Sequence, residues 1–118
     1  MSYIQERLQK FTDRVEQLSK EAPNTKKLLN YMHSAKADGK LDSKQKALIA
    51  VGIALYHRCE DCVIIHTYNA LQAGATREEI LETAEVAMIF GGGPTLSATA
   101  MLLQDTLDAF EKSMPKPK

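Results

Sequence analysis

Both cysteines of the chain fall in one short run, Cys59-Glu60-Asp61-Cys62-Val63-Ile64-Ile65-His66, a C-x-x-C-x-x-x-H pattern. On a helix, positions three apart differ in axial rise by only about 4.5 Å. That is close to the Cα separation a disulfide accepts, so such a pair can cycle between dithiol and disulfide with little movement. A helix start also favours thiolates, because unpaired N–H groups and the helix dipole stabilise negative charge there. His66 lies four residues beyond Cys62, hence one turn on along the same face. An imidazole in that place can take a thiol proton and return it to a leaving group. Cys59, Cys62 and His66 are therefore the candidate catalytic set, and the chemistry they suit is thiol redox chemistry.

Blander readings of the same residues stay open at this level. Cysteine is commonly a small buried hydrophobe. Two thiolates, His66 and His57 would also make four zinc ligands. Closed zinc sites, however, usually join two separated ligand clusters, whereas these four residues fall within ten positions, so no metal is assigned. His33 has no chemical partner nearby in the sequence and reads as a surface or core residue, and Met32, Met88 and Met101 read as core filler. Gly91-Gly92-Gly93-Pro94 lacks the lysine and hydroxyl of a phosphate-binding loop and follows no strand. It reads instead as a bend where helices approach closely.

The elements that must position this run are helical throughout. Ile4, Leu8, Phe11, Val15 and Leu18 form one apolar stripe on a first helix, which Pro23-Asn24 ends. A second helix runs from about Thr25 to Ala37 with Leu28, Leu29 and Met32 apolar, and Asp38-Gly39 stops it. Asp42 to Gln45 reads as a capping box opening a third helix through about Tyr56. That helix is apolar on most sides, which predicts central burial, with Gly52 allowing close approach of a neighbour. A fourth helix spans about Glu60 to Ala73, closed by Gly74. Thr76 to Glu79 is a second capping box, starting a fifth helix with Ile80, Leu81, Ala84, Ala87 and Met88 inward. A sixth runs from about Thr95 to Lys112, and residues 114–118 form a frayed tail. The fold class predicted is an all-α bundle of about six helices in one domain over residues 1–118.

Composition agrees with a folded chain. Of 118 residues, 44% are hydrophobic and 25% charged, which excludes wholesale disorder. Fifteen basic residues balance fifteen acidic ones. Without a basic excess, nucleic acid is a poor partner. The longest apolar-leaning run, Ala47 to Tyr56, is too short to cross a bilayer, and the N-terminus lacks a signal peptide's apolar core. A cytoplasmic protein without a membrane partner is expected. Six helices in so short a chain leave each few neighbours, and zero net charge permits association, so a homo-oligomer is expected.

Several segments together resemble the carboxymuconolactone decarboxylase superfamily, most closely its alkyl hydroperoxidase D-like branch. They are Leu41 to Ala50, Cys59 to His66, Gly74 to Glu79 and Gly91 to Pro94, and the likeness spans about residues 25–112. The resemblance implies helical protomers interlocked as dimers, trimers or hexamers, of which a trimer or hexamer is expected. It also implies that Cys62 attacks peroxide, Cys59 resolves the sulfenic acid and donates a proton, and His66 relays protons. Substrates would be a peroxide or a disulfide. Electrons would come from a thiol reductant, because no flavin or nicotinamide site is present in the sequence and no cofactor is expected. Two positions depart from the branch's pattern. A relay glutamate twelve residues before the first cysteine is Ala47 here, and a frequent histidine between the cysteines is Asp61. Glu60, Asp61, Tyr56, Glu82 and Glu85 are the substitutes to consider. Slower peroxide turnover than in full-relay relatives is expected, with thiol–disulfide exchange better preserved. The other classes open are a lactone decarboxylase and a non-catalytic redox-sensing or zinc-binding scaffold.

Overall fold

The structure is a computed structural model and describes residues 1–111. Six α-helices form, with no strand among the described residues. They are α1 (Tyr3–Glu21), α2 (Thr25–Lys36), α3 (Ser43–His57), α4 (Glu60–Gln72), α5 (Arg77–Ala98) and α6 (Gln104–Phe110), the last two joined by a π-helical turn at Thr99–Leu103. The all-α class predicted from periodicity is the observed one. The C-terminal tail, and the last residue of the sixth helix as read from sequence, lie outside the described residues.

Helix starts are fixed by side chains meeting backbone. Asp42 Oδ1 accepts from the Gln45 N–H at 2.7 Å while Gln45 Oε1 accepts from the Asp42 N–H at 2.9 Å. Thr76 and Glu79 exchange the same pair of bonds at 3.1 and 2.9 Å, which satisfies donors that a helix end leaves orphaned. A third box, Ser2 with Gln5, caps α1. The Lys44–Glu79 ion pair, 2.8 Å, then ties the starts of α3 and α5 together, and it holds the Glu79 carboxyl below the usual carboxylate range.

The core is built around α4, whose Val63, Ile64, Thr67, Ala70 and Leu71 are buried. Val51, Ala54 and Leu55 of α3, Ile80 and Ala84 of α5, and Leu103, Leu107 and Phe110 close over it. Gly52 does bring α3 and α5 together: a methyl there would sit 3.3 Å from Thr83 Cγ2. The expected central burial of α3 holds for one face only. Ile53 is 62% exposed, and Ile49 and Tyr56 are about half exposed. A chain this small has no further layer to cover the second face. Met101, read as core filler, is also exposed on the π turn, while Met32 and Met88 are half-buried.

The Gly91–Pro94 bend lies within one long helix. Gly92 adopts φ 56°, ψ −139°, a backbone region that side-chain-bearing residues avoid. Pro94 then starts the new direction, where its missing N–H costs nothing. Arg77 to Phe110 is long and apolar enough, by length and composition, to cross a membrane, and it exceeds the Ala47 to Tyr56 run in length. In the fold this stretch is broken at Gly92, and Ile80, Ala84, Leu103 and Leu107 face the protein's own core.

Candidate active site

Arg58 ends α3 in the left-handed region, φ 56°, ψ 35°, and turns the chain so sharply that Cys59 already caps α4. Cys59 and Cys62 are joined as a disulfide with their Cα atoms 5.2 Å apart. The N–H of Cys62 donates to Cys59 Sγ at 3.3 Å. Cys59 therefore occupies the place a serine or aspartate takes at an ordinary N-cap. When the bond is reduced, that N–H and the helix end favour a thiolate on Cys59. Cys62 is half-buried and packs against the core. The sulfurs thus differ in setting: one is held by the backbone, the other backed by hydrocarbon.

His66, one turn further along α4, lines a cavity of about 130 Å³ with Lys36, Ser43, Lys46, Ala47 and Asn69. Burial, and secondarily the positive charge of Lys36, hold its imidazole below the ordinary histidine pKa. It is accordingly a neutral base near neutral pH. Lys46 points its Nζ at the carbonyls of Ala35 and Ala37, 3.0 and 2.6 Å away. Among the described residues no carboxylate lines this cavity.

The sequence suggested five substitutes for the missing relay glutamate, and the structure brings none of them into the His66 cavity. Tyr56 lines an apolar groove between α3 and α5 with Ile53 and Phe90. Glu82 lines a separate surface hollow with Leu48 and Glu79, and Glu85 is exposed. Glu60 and Asp61 are engaged by α1. Tyr3 donates its hydroxyl to Glu60 Oε1 at 2.9 Å. Arg7 grips Asp61 with two bonds, Nε to Oδ1 at 2.7 Å and Nη2 to Oδ2 at 3.1 Å. These pairings raise the Tyr3 and Arg7 pKa values, through the hydrogen bonds first. Sequence reasoning missed Tyr3 and Arg7. The available signal was their i, i+4 spacing on α1, which matches two adjacent carboxylates on a facing helix.

The zinc reading gains no ligand set. His57 is exposed beside Arg58, Phe90 and Pro94. Among the described residues no group of three or more His, Cys, Asp or Glu side chains is gathered so as to hold a metal ion.

An all-helical fold carrying a Cys-x-x-Cys at a helix start, with a neutral histidine one turn on, defines a class that the comparisons make specific. Residues 23–105 match the carboxymuconolactone decarboxylase family, and the chain belongs to that family. A carboxymuconolactone decarboxylase family protein of Legionella pneumophila, solved in its apo form, superposes with a TM-score of 0.80 at 34% identity, covering 92% of this chain and 95% of that one. A Thermotoga maritima family member, for which a part in the antioxidative response has been suggested, gives a TM-score of 0.76 at 31% identity over 92% and 94%. An uncharacterized protein of Cupriavidus necator is 40% identical over 80 residues, 66% of this chain and 71% of its own length.

Proposed function

We propose that this protein is a thiol-dependent oxidoreductase of the alkyl hydroperoxidase D-like type, reducing peroxides or small disulfides in the cytoplasm. The observation that carries the reading is the Cys59–Cys62 disulfide at the start of α4, with His66 one turn away. The Cys62 thiolate attacks the terminal peroxide oxygen, the O–O bond breaks, and an alcohol leaves with a proton. Cys62 is then a sulfenic acid. The Cys59 thiolate, favoured by the Cys62 N–H, attacks the Cys62 sulfur and expels hydroxide, which takes up the proton that Cys59 released and leaves as water, forming the disulfide. Two equivalents of an external thiol restore the dithiol and are themselves oxidised to a disulfide. That thiol attacks Cys62, so Cys59 leaves as the backbone-stabilised thiolate. His66, neutral near pH 7, takes the Cys62 proton and returns it to the leaving alcohol. A reducing cytoplasm supplies the thiols.

A lactone decarboxylase reading has less support, because it leaves the paired sulfurs without a task. The test is consumption of an organic hydroperoxide with excess dithiol, comparing the wild type with Cys62→Ser and Cys59→Ser. Turnover should be lost in Cys62→Ser, while Cys59→Ser, reduced and then freed of dithiol, should consume one equivalent and stall as the sulfenic acid. Full consumption by Cys62→Ser would remove the assigned nucleophile.

A further inference from the structure

The two residues between the cysteines are both carboxylates, Glu60 and Asp61, in the first turn of α4. Such a pair supports the helix end but opposes a thiolate next to it, since like charge disfavours ionisation. The structure meets this conflict with α1, not with α4 itself. Ile4 is buried, and the Gln5 amide donates to the Ala109 carbonyl at 3.3 Å. These contacts seat the first two turns of α1 against the fold, so that Arg7 reaches Asp61 with both arms of its guanidinium. A fork-on-carboxylate pair of this geometry fixes direction as well as charge. The pair is only partly exposed, with side-chain accessibilities of 36% and 27%, so solvent does not fully screen it. Tyr3 holds Glu60 in the same way with one bond. The family match begins at residue 23, so both clamping side chains come from outside the matched segment.

We propose that Arg7 is a positioning residue of the cysteine pair: by neutralising and orienting Asp61 it preserves thiolate character at Cys59 and Cys62, with Tyr3 steering Glu60 alongside. Among the described residues, the charged and titratable groups at this end of α4 include Tyr3 and Arg7 from α1, His57 and Arg58 from the end of α3, and Glu60 and Asp61 from α4 itself, with His66 one turn beyond. Arg7 is the cation that pairs directly with a carboxylate of the motif. The proposal rests on the redox reading of the pair, but its test does not require peroxide turnover.

The reduced protein is alkylated with iodoacetamide across a range of pH, in the wild type, Arg7→Gln, Asp61→Asn and the double variant. Arg7→Gln should slow alkylation at pH 7 by about three- to tenfold and move the thiol titration to higher pH, because Asp61 is then unpaired. In the Asp61→Asn background, Arg7→Gln should change neither value, which is the coupling that a double-mutant cycle isolates. Raising the salt should shrink the effect of Arg7→Gln in wild type. An unchanged titration in Arg7→Gln would overturn the proposal. So would an equal slowing with Asp61 already neutral, since that would mark Arg7 as merely structural. Circular dichroism on each variant confirms that the helices are retained.

Discussion

At the residue scale the site is a set of charge balances around two sulfurs and one imidazole. With Ala47 in its wall, the His66 cavity has no acid among the described residues, and Lys36 adds positive charge to it. The folded protein holds His66 neutral, so protonation opposes folding as pH falls below the ordinary histidine value. That loss levels off once pH is beneath the lowered one. For chemistry the same shift extends base competence to lower pH. The rate of Cys62 oxidation should therefore rise with pH through an inflection on the acid side of the ordinary histidine value. Lys36→Gln should move that inflection upward, because it removes a charge that disfavours the imidazolium. Ala47→Glu should raise the His66 pKa, read directly by NMR titration of the imidazole, and speed oxidation by about three- to tenfold. An unaltered imidazole titration in Ala47→Glu would mean that position 47 does not communicate with His66. The pairing of the two sulfurs was legible in the sequence because three-residue spacing at a helix start brings them together. The Arg7–Asp61 pair was not, because its partners lie 54 positions apart and only tertiary packing joins them.

At the element scale, the helices were legible where side chains punctuate backbone. The boxes at Asp42–Gln45 and Thr76–Glu79 are local and reciprocal, so their spacing is their signature. The π turn at Thr99–Leu103 left no comparable mark. The Gly91–Pro94 run was read as a bend, and its glycines prove to have unequal tasks. A methyl on Gly91 would overlap the Thr95 side chain, and Gly92 needs a positive φ. Gly93 has neither constraint: its φ is not positive and a methyl there would meet no neighbour. Gly92→Ala should consequently destabilise the protein by about 1–3 kcal/mol, the cost of a side chain in a forbidden backbone region. Gly93→Ala should be neutral or slightly stabilising through the unfolded chain. Urea unfolding of both variants makes the comparison, and equal losses would contradict the division of labour.

At the scale of the whole molecule, apolar surface exceeds what the protomer covers. Ile49, Ile53 and Tyr56 of α3 and Val86 and Phe90 of α5 line a groove of about 580 Å³, and Ile89 beside it is 76% exposed. Contiguous apolar area of this kind marks an interaction surface. Zero formal net charge offers no electrostatic bar to a second copy. A homo-oligomer packed through α3 and α5, a trimer or hexamer, is the assembly proposed for it. Periodicity identifies α3 as apolar on most sides, yet it does not say whether the chain or a partner covers each face. Sedimentation equilibrium should show association in the wild type and a shift toward monomer in Ile53→Asp, with helicity kept. A wild-type monomer at tens of micromolar would refute this use of the groove.

The proposed redox role of Cys59 and Cys62 requires one disulfide per chain, formed at the expense of one peroxide. The direct measurement is a free-thiol titration of fully reduced, anaerobic protein before and after one equivalent of an organic hydroperoxide. The two cysteine thiols of the chain should fall to none, one equivalent of the alcohol should appear, and dithiothreitol should return both thiols. Two thiols still titrating, with the hydroperoxide intact, would contradict the redox role of Cys59 and Cys62.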